Sequence, residues 1–299
     1  MSFEITTAFT KQFKDNIRLL SQQKGSMLEM AVDVEDGLTG DAFFFEQMGS
    51  VDARDKTVRF QDSPQMDTPH RRRMVTPNDA DWGDFIDKLD KVKMLISPES
   101  KYIKQSIYAM GRKIDDHIIE AATGTAMSGK NGATSIVLPD TQKLNVNLGG
   151  SGSPTGMNIA KLIAAKSLFG KNQVDTKDPE NKLYFVHSQQ QLDDLLDVTE
   201  TKSADYAAVK ALVNGEITYF MGFEFINIQR LALHPTSDVR TCFAFAKSGI
   251  GLGKWANIQT EVEKRGDKSF AWYAYTCMSV GATRLEEKKV VEIPCDESP

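Results

Sequence analysis

Phe9, Phe13, Ile17 and Leu20 recur at helical spacing, which predicts a short amphipathic helix ending near Gln23-Lys24-Gly25-Ser26, an arm more than a core element. From Met27 to about Pro77 the pattern changes to short strands and turns. Phe43-Phe44-Phe45 is one candidate strand and the alternating Thr57-Val58-Arg59-Phe60-Gln61 another, followed by a polar stretch through Asp62, Pro64 and Pro69 to His70-Arg71-Arg72-Arg73. Alternation with so few bulky apolar residues cannot bury both faces, so this region is expected to project from the body as a long two-stranded loop too polar for the core.

The strongest helix signal follows. Ser97 suits an N-cap, Pro98 the first helical position, Glu99 the first turn and Gly124 the position just past the end. Ile103, Ile107, Met110, Ile114, Ile118 and Ala121 form one apolar stripe along roughly 39 Å of helix. Residues 128 to 156 are rich in Gly, Ser, Asn and Thr and read as a flexible joint or domain boundary. Beyond it the pattern predicts a helix from Met157 to Phe169 ended by Gly170, and a central strand Leu183-Tyr184-Phe185-Val186. A helix opened by the capping box Ser188-Gln189-Gln190-Gln191 comes next, then a hairpin turning on Met221-Gly222. Further strands are expected at 242–246, 258–264, 270–280 and 289–293, with a frayed tail from Asp296.

Charge narrows the function classes. The 299 residues carry 36 basic and 41 acidic side chains, a net charge of -5, which disfavours a tight reader of the nucleic-acid backbone and leaves weak contact open. The longest uncharged apolar stretch, Ala271 to Ala282, is too short for a membrane span, and no secretory signal opens the chain, so a soluble protein of the cytoplasm is expected. Cys242, Cys277 and Cys295 are odd in number and widely spaced, which fits a reducing compartment, with two buried thiols and the third in the tail.

Candidate chemistry is thin. Gly124-Thr125-Ala126-Met127-Ser128-Gly129-Lys130-Asn131 nearly spells a phosphate-binding loop, but Asn131 lacks the magnesium-binding hydroxyl and a helix, not a strand, precedes it. Gly249-Ile250-Gly251-Leu252-Gly253 reads as a turn between strands. His70, His117, His187 and His234 have no metal-ligand spacing, and no nucleophile motif occurs, so neither metal nor cofactor nor catalytic residue is expected. The acidic run Asp79, Asp81, Asp84, Asp87 and Asp90 lacks the calcium-loop pattern and reads as a solvated face. Arg71, Arg72 and Arg73 read as an interface that pairs with acidic residues of a neighbouring protein.

The order of elements, arm, projecting loop, long helix, Gly-rich joint, α/β lobe and returning strands, resembles tailed-bacteriophage major capsid proteins of the Hong Kong 97-like fold. One capsid family within that fold is similar across nearly the whole chain, through Gln22-Gln23-Lys24-Gly25-Ser26, Arg72-Arg73-Met74-Val75-Thr76-Pro77, Ile86-Asp87-Lys88-Leu89-Asp90-Lys91 and Gly111-Arg112-Lys113-Ile114-Asp115-Asp116. The closing Val280-Gly281-Ala282-Thr283-Arg284-Leu285 and Val290-Val291-Glu292-Ile293 are similar too. The resemblance implies an α+β fold with an N-arm (1–26), an extended loop (40–78), a peripheral domain (80–127 with 270–293) and an axial domain (150–268). It implies pentamers and hexamers closing an icosahedral shell around double-stranded DNA contacted weakly, assembled in the host bacterial cytoplasm. A portal, a separate scaffolding protein and a decoration protein are the further partners it suggests. Lys56, Arg59, Arg71, Arg72, Arg73, Asp87 and Asp90 are the expected contacts between subunits, Lys56 without an autocatalytic crosslink. A compartment shell of the same fold and, in a different class, a nucleotide hydrolase using Lys130 are the alternatives.

Overall fold

The computed structural model describes residues 21–61, 63, 65–86, 99–150, 152–178, 181–199, 218–234 and 237–298. The expected helix through Phe9, Phe13, Ile17 and Leu20 lies outside them, as do Ser97 and Pro98. Three sheets and a long helix organise the rest. The first sheet orders β1 (Asp33–Asp36), β11 (Ile250–Arg265), β12 (Ala271–Arg284) and β4 (Asn78–Ile86). The second orders β13 (Val290–Asp296), β10 (Val239–Ala246), β7 (Leu183–His187), β9 (Phe223–Asn227) and β8 (Tyr219–Phe220). The third joins β2 (Phe43–Met48), β3 (His70–Val75), β5 (Ala126–Ser128) and β6 (Thr134–Ile136).

Helix α1 (Glu99–Thr123) lies on the first sheet, about 38 Å long at 1.5 Å per residue. It buries Met110, Ile114, Ile118 and Ala122, while Ile107 is 37% exposed. The buried face is therefore rotated from the expected stripe and includes two polar residues, Ser106 and Asp115. Both are tolerated because both are hydrogen-bonded: Ser106 Oγ meets Ile103 O at 2.8 Å and Thr276 Oγ1 at 2.7 Å.

The central sheet strand is β7, buried along its whole length, with Phe185, Phe243 and Phe245 in one core. Helix α2 (Ile159–Lys171) is capped by Asn158, whose side chain accepts the Lys161 N–H; it runs one residue beyond Gly170, where a stop was expected, to end at Asn172. Helix α3 (Gln189–Thr199) opens with the expected box, the Ser188 N–H donating to Gln191 Oε1 at 2.8 Å.

Four other expectations are corrected. Residues 57–61 form no strand, so the projecting loop is a hairpin only at its root. Gly249–Gly253 is not a turn: Gly251 and Gly253 lie inside β11, and a Cβ on Gly251 would sit 2.8 Å from the Phe45 ring, a close approach that only glycine admits. The stretch 128–156 is not a loose joint, since it holds the β5–β6 hairpin and the buried Leu138, and Leu144 N–H bonds Glu292 O at 2.9 Å. The end of the chain is docked, not frayed. Cys295 is buried beside Cys242, and Glu297 takes a bidentate ion pair from Arg240 at 2.6 and 2.8 Å.

The strand order also regroups the expected ranges. β11, from the 150–268 range, pairs along its length with β12, while β13, from the 270–293 range, pairs with β10.

Candidate assembly surfaces

The motif around Gly25 and the motif around Asp115 turn out to be two halves of one joint. Residues 22–28 cross α1 at Gly111, where a Cβ would lie 2.5 Å from the Gly25 backbone, so the chain passes only because that position has no side chain. One helical turn on, the buried Asp115 carboxylate accepts from Ser26 Oγ at 2.5 Å, from Met27 N at 3.1 Å, from Leu28 N at 3.0 Å and from the Gln23 side chain. Arg112 holds Gln22 Oε1 at 3.0 Å and Gln23 O at 3.1 Å. The root of the N-terminal segment is thereby fixed across the long helix. Asp116, the next residue, takes a bidentate pair from Arg230 at 2.6 and 2.5 Å and ties the β9–β10 connection to the same helix.

The second surface is the β2–β3 hairpin and the segment 49–69 that it carries. Residues 51–61 are exposed without exception, Phe60 to 98%, and Phe60 holds a φ of 57°. Lys56 and Arg59 lie on this segment with no ion-pair partner among the described residues. At the root the three arginines separate. Arg71 is exposed. Arg72 pairs with Glu46 at 2.6 Å and its guanidinium sits 5.2 Å from the Phe44 ring centre. Arg73 does not reach the surface: 2% exposed, it donates to Leu285 O at 2.9 Å and to Glu287 Oε1 at 2.6 Å. Its expected contact with a neighbour is corrected by strand alternation, because on β3 residues 73 and 75 face inward.

The same Glu287 lies 3.8 Å from the wholly buried Arg284, whose guanidinium donates to Ala122 O, Gly124 O and Ile136 O at 3.1, 2.6 and 2.9 Å. The orphan carbonyls at the end of α1 are thus capped by a side chain from β12. Burial lowers the Arg284 pKa from its ordinary value, opposed by Glu287. Sequence reasoning missed Glu287 and Arg284 altogether; the only signal was Arg284 at the close of a family-like motif.

Lys130 sits on the β5–β6 turn, and strand β6 rather than a helix follows it directly, so it lacks the setting a phosphate loop requires. It lines instead a concavity of about 450 Å3 with Glu46, His70, Arg71 and Arg72. Asp79, Asp81 and Asp84 are exposed on β4, a strand that the acidic run concealed; Asp87 and Asp90 lie outside the described residues. His187 is buried at the end of β7, its pKa pushed down to about 4 by desolvation, and Nδ1 lies 2.8 Å from Ser188 O. Among the described residues no group of three or more His, Cys, Asp or Glu could hold a metal ion, and no helix is long and apolar enough to cross a membrane.

Residues 5–297 match the profile of a family described as phage capsid protein. No curated protein matches the chain. Among solved structures, the capsid of Ralstonia phage GP4 superposes with a TM-score of 0.73 at 9% identity, covering 97% of each chain. The acid-stable capsid of Helicobacter pylori bacteriophage KHP30 gives 0.70 at 9%, covering 100% of this chain and 98% of that one. The capsid of cyanophage P-SCSP1u gives 0.66 at 17%, covering 98% and 95%. Identities this low speak for a shared fold, and the profile speaks for descent. With the match running over almost its whole length and the Hong Kong 97-like fold in place, the chain belongs to the phage capsid protein family, a major capsid protein whose copies build the icosahedral shell of the virion.

Proposed function

We propose that copies of this chain close into pentamers and hexamers through two elements, the N-terminal arm that continues from the joint on Asp115 and the β2–β3 hairpin, and that the finished shell encloses double-stranded DNA. The observation that carries this reading is the hairpin. Its segment 51–61 is exposed throughout, yet its root is held by the ion pair of the buried Arg73 with the half-buried Glu287. A fixed root and an unpartnered tip suit a heterologous contact, in which one patch of each copy meets a different patch of the next and the ring closes.

Lys56, Arg59, Arg71 and Arg72 are the basic contacts of this reading, and the acidic run through Asp87 and Asp90 belongs to the facing surface. Arg73 positions the hairpin from inside. The peripheral domain is α1 with the first sheet, β11 included; the axial domain is the second sheet with α2 and α3, β13 included. The role is structural and involves no turnover. A net charge of -5 suits a wall that confines DNA while contacting it weakly. A scaffolding protein, a portal and a decoration protein are the other partners, with assembly in the host cytoplasm.

The test is expression of the chain alone, followed by size exclusion with light scattering and negative-stain electron microscopy. Rings or closed shells that are lost when residues 49–69 are replaced by a short Gly-Ser turn support it. A monomer at every salt and protein concentration overturns it.

A further inference from the structure

Strand register leaves a notch at one end of the third sheet. β3 pairs with β2 along its whole length, from His70–Met48 to Val75–Phe43, but with β5 only at Arg73–Ser128 and Met74–Met127. Beyond Ser128 the chain turns through Gly129, at a φ of 91°, and Gly132, at 68°, both left-handed values that suit glycine. The β3 edge at residues 70–72 therefore faces the β5–β6 turn across the concavity of about 450 Å3. Its walls are fastened. Ser128 Oγ donates to Arg72 O at 2.9 Å, Gly132 N–H bonds Gly129 O at 3.2 Å, and a Cβ on Gly132 would collide with Met74 Sδ.

The lining of the notch is cationic. Arg71, Arg72 and Lys130 bring three positive charges against the single carboxylate of Glu46, in a chain whose net charge is -5. That carboxylate is already taken by Arg72 at 2.6 Å, and Arg72 is held further by the Phe44 ring and by Lys130 O, 3.5 Å from its Nη1. Arg71 and Lys130 are exposed, with no ion-pair partner among the described residues. Like charges gathered on a fixed frame repel until an anion joins them. The excess of two matches one phosphate monoester or two successive phosphodiesters, whereas one carboxylate would neutralise half of it. Guanidinium offers paired N–H donors to phosphate oxygens, and ammonium adds a point charge.

We infer that this notch is a phosphate-binding site, in which Arg71 and Lys130 grip the phosphate oxygens and Arg72, held by Glu46, supplies the fixed third charge. The phosphate comes from a soluble nucleotide or from the backbone of the enclosed DNA. The site binds without turnover: Asn131 stands where a magnesium-binding hydroxyl would, and the one carboxylate in the notch is occupied. The inference goes beyond the shell reading. Within it, Arg71 and Arg72 serve a phosphate instead of the neighbouring copy, and Lys56 and Arg59 remain the basic contacts between copies.

The test uses the full-length chain. Inorganic phosphate is titrated and followed by phosphorus NMR, and a short fluorescent DNA duplex by anisotropy. Phosphate binding tighter than about 10 mM is expected, weakened roughly tenfold or more by Arg71→Glu with Lys130→Glu. The control pair Lys166→Glu with Lys177→Glu, exposed residues elsewhere with the same change in net charge, is expected to weaken it less than about twofold. Lys130→Gln alone, confined to an exposed turn, gives part of the first loss and guards against misfolding. Duplex binding that phosphate displaces and the first pair abolishes identifies DNA as the source; phosphate binding without duplex binding identifies a soluble phosphate compound, and both support the site. Absence of phosphate binding, equal loss in the two variant pairs, or equally effective displacement by acetate, which would make the notch a carboxylate seat, overturns it. The shell reading is judged separately, by assembly.

Discussion

The Ser26 hydroxyl and the Asp115 carboxylate, 89 residues apart in sequence, meet at 2.5 Å across the middle of the long helix. Asp115 is buried, and its oxygens are satisfied by side-chain and backbone donors of residues 23–28. Asp115→Ala leaves those donors without their acceptor. It is expected to cost about 2–4 kcal/mol, while Ser26→Ala, which removes one donor and keeps the backbone bonds, costs about 1 kcal/mol. Urea unfolding gives both numbers. Amide exchange at Met27 and Leu28, faster in Asp115→Ala than in Ser26→Ala, assigns the loss to the joint.

Adjacent arginines on β3 make opposite predictions. The Arg72–Glu46 pair is solvent-exposed, so Arg72→Ala is expected to change stability by less than about 1 kcal/mol. Arg73 is buried and Glu287 half-buried, and among the described residues Glu287 is the only carboxylate beside two interior guanidiniums. Glu287→Ala therefore leaves charge unpaired in the interior and is expected to cost about 3–5 kcal/mol. Thermal unfolding of the two variants separates them; equal and small effects would mean that Arg73 is free to leave its site.

Those arginines also mark how far the sequence could be read. The resemblance in the order of motifs carried the fold, and helical periodicity with its capping residues carried the long helix, whereas the β3 half of the hairpin root read as polar loop. Inside a triple-arginine run nothing local tells which guanidinium turns inward; that follows from pairing β3 with β2 and β5. The acidic run hid β4 for a related reason. An edge strand with one face in solvent can be full of Asp, and only its register with β12 makes it a strand. Glycines misled in the opposite direction at Gly251 and Gly253, where a turn signature is in fact space for Phe45 and Leu38. Both halves of the Gly25–Asp115 joint were visible as motifs, but their contact is tertiary.

The three thiols are expected to react in a fixed order. Cys277 is half-buried on the outer face of the first sheet, whereas Cys242 and Cys295 are fully buried. Burial raises the Cys242 pKa well above its ordinary value, so it offers no thiolate near neutrality. Native protein treated with iodoacetamide is expected to label Cys277 alone, and the other two only after unfolding. Rapid labelling of Cys295 in native protein would restore the frayed tail that its contacts exclude.

Acid is expected to weaken the subunit through His187. Desolvation is the main cause holding its pKa at about 4 in the folded chain, opposed by the bond to Ser188, while the unfolded chain titrates near 6.5. Above 6.5 both states are neutral and the histidine contributes no pH dependence. As pH falls from 6.5 towards 4 the unfolded state takes up a proton that the folded state refuses, so stability is lost across that window, by up to about 1.4 kcal/mol per pH unit and about 3 kcal/mol in all. Below 4 both states are protonated and the loss levels off. His117, also lowered by burial, adds in the same direction. His187→Phe keeps a ring between Phe185 and Phe225 and removes the titration, so the difference between the two stability profiles isolates this residue. Parallel profiles from pH 7 to pH 4 would show that the ring nitrogen finds water or a proton acceptor that the packed strand end does not provide.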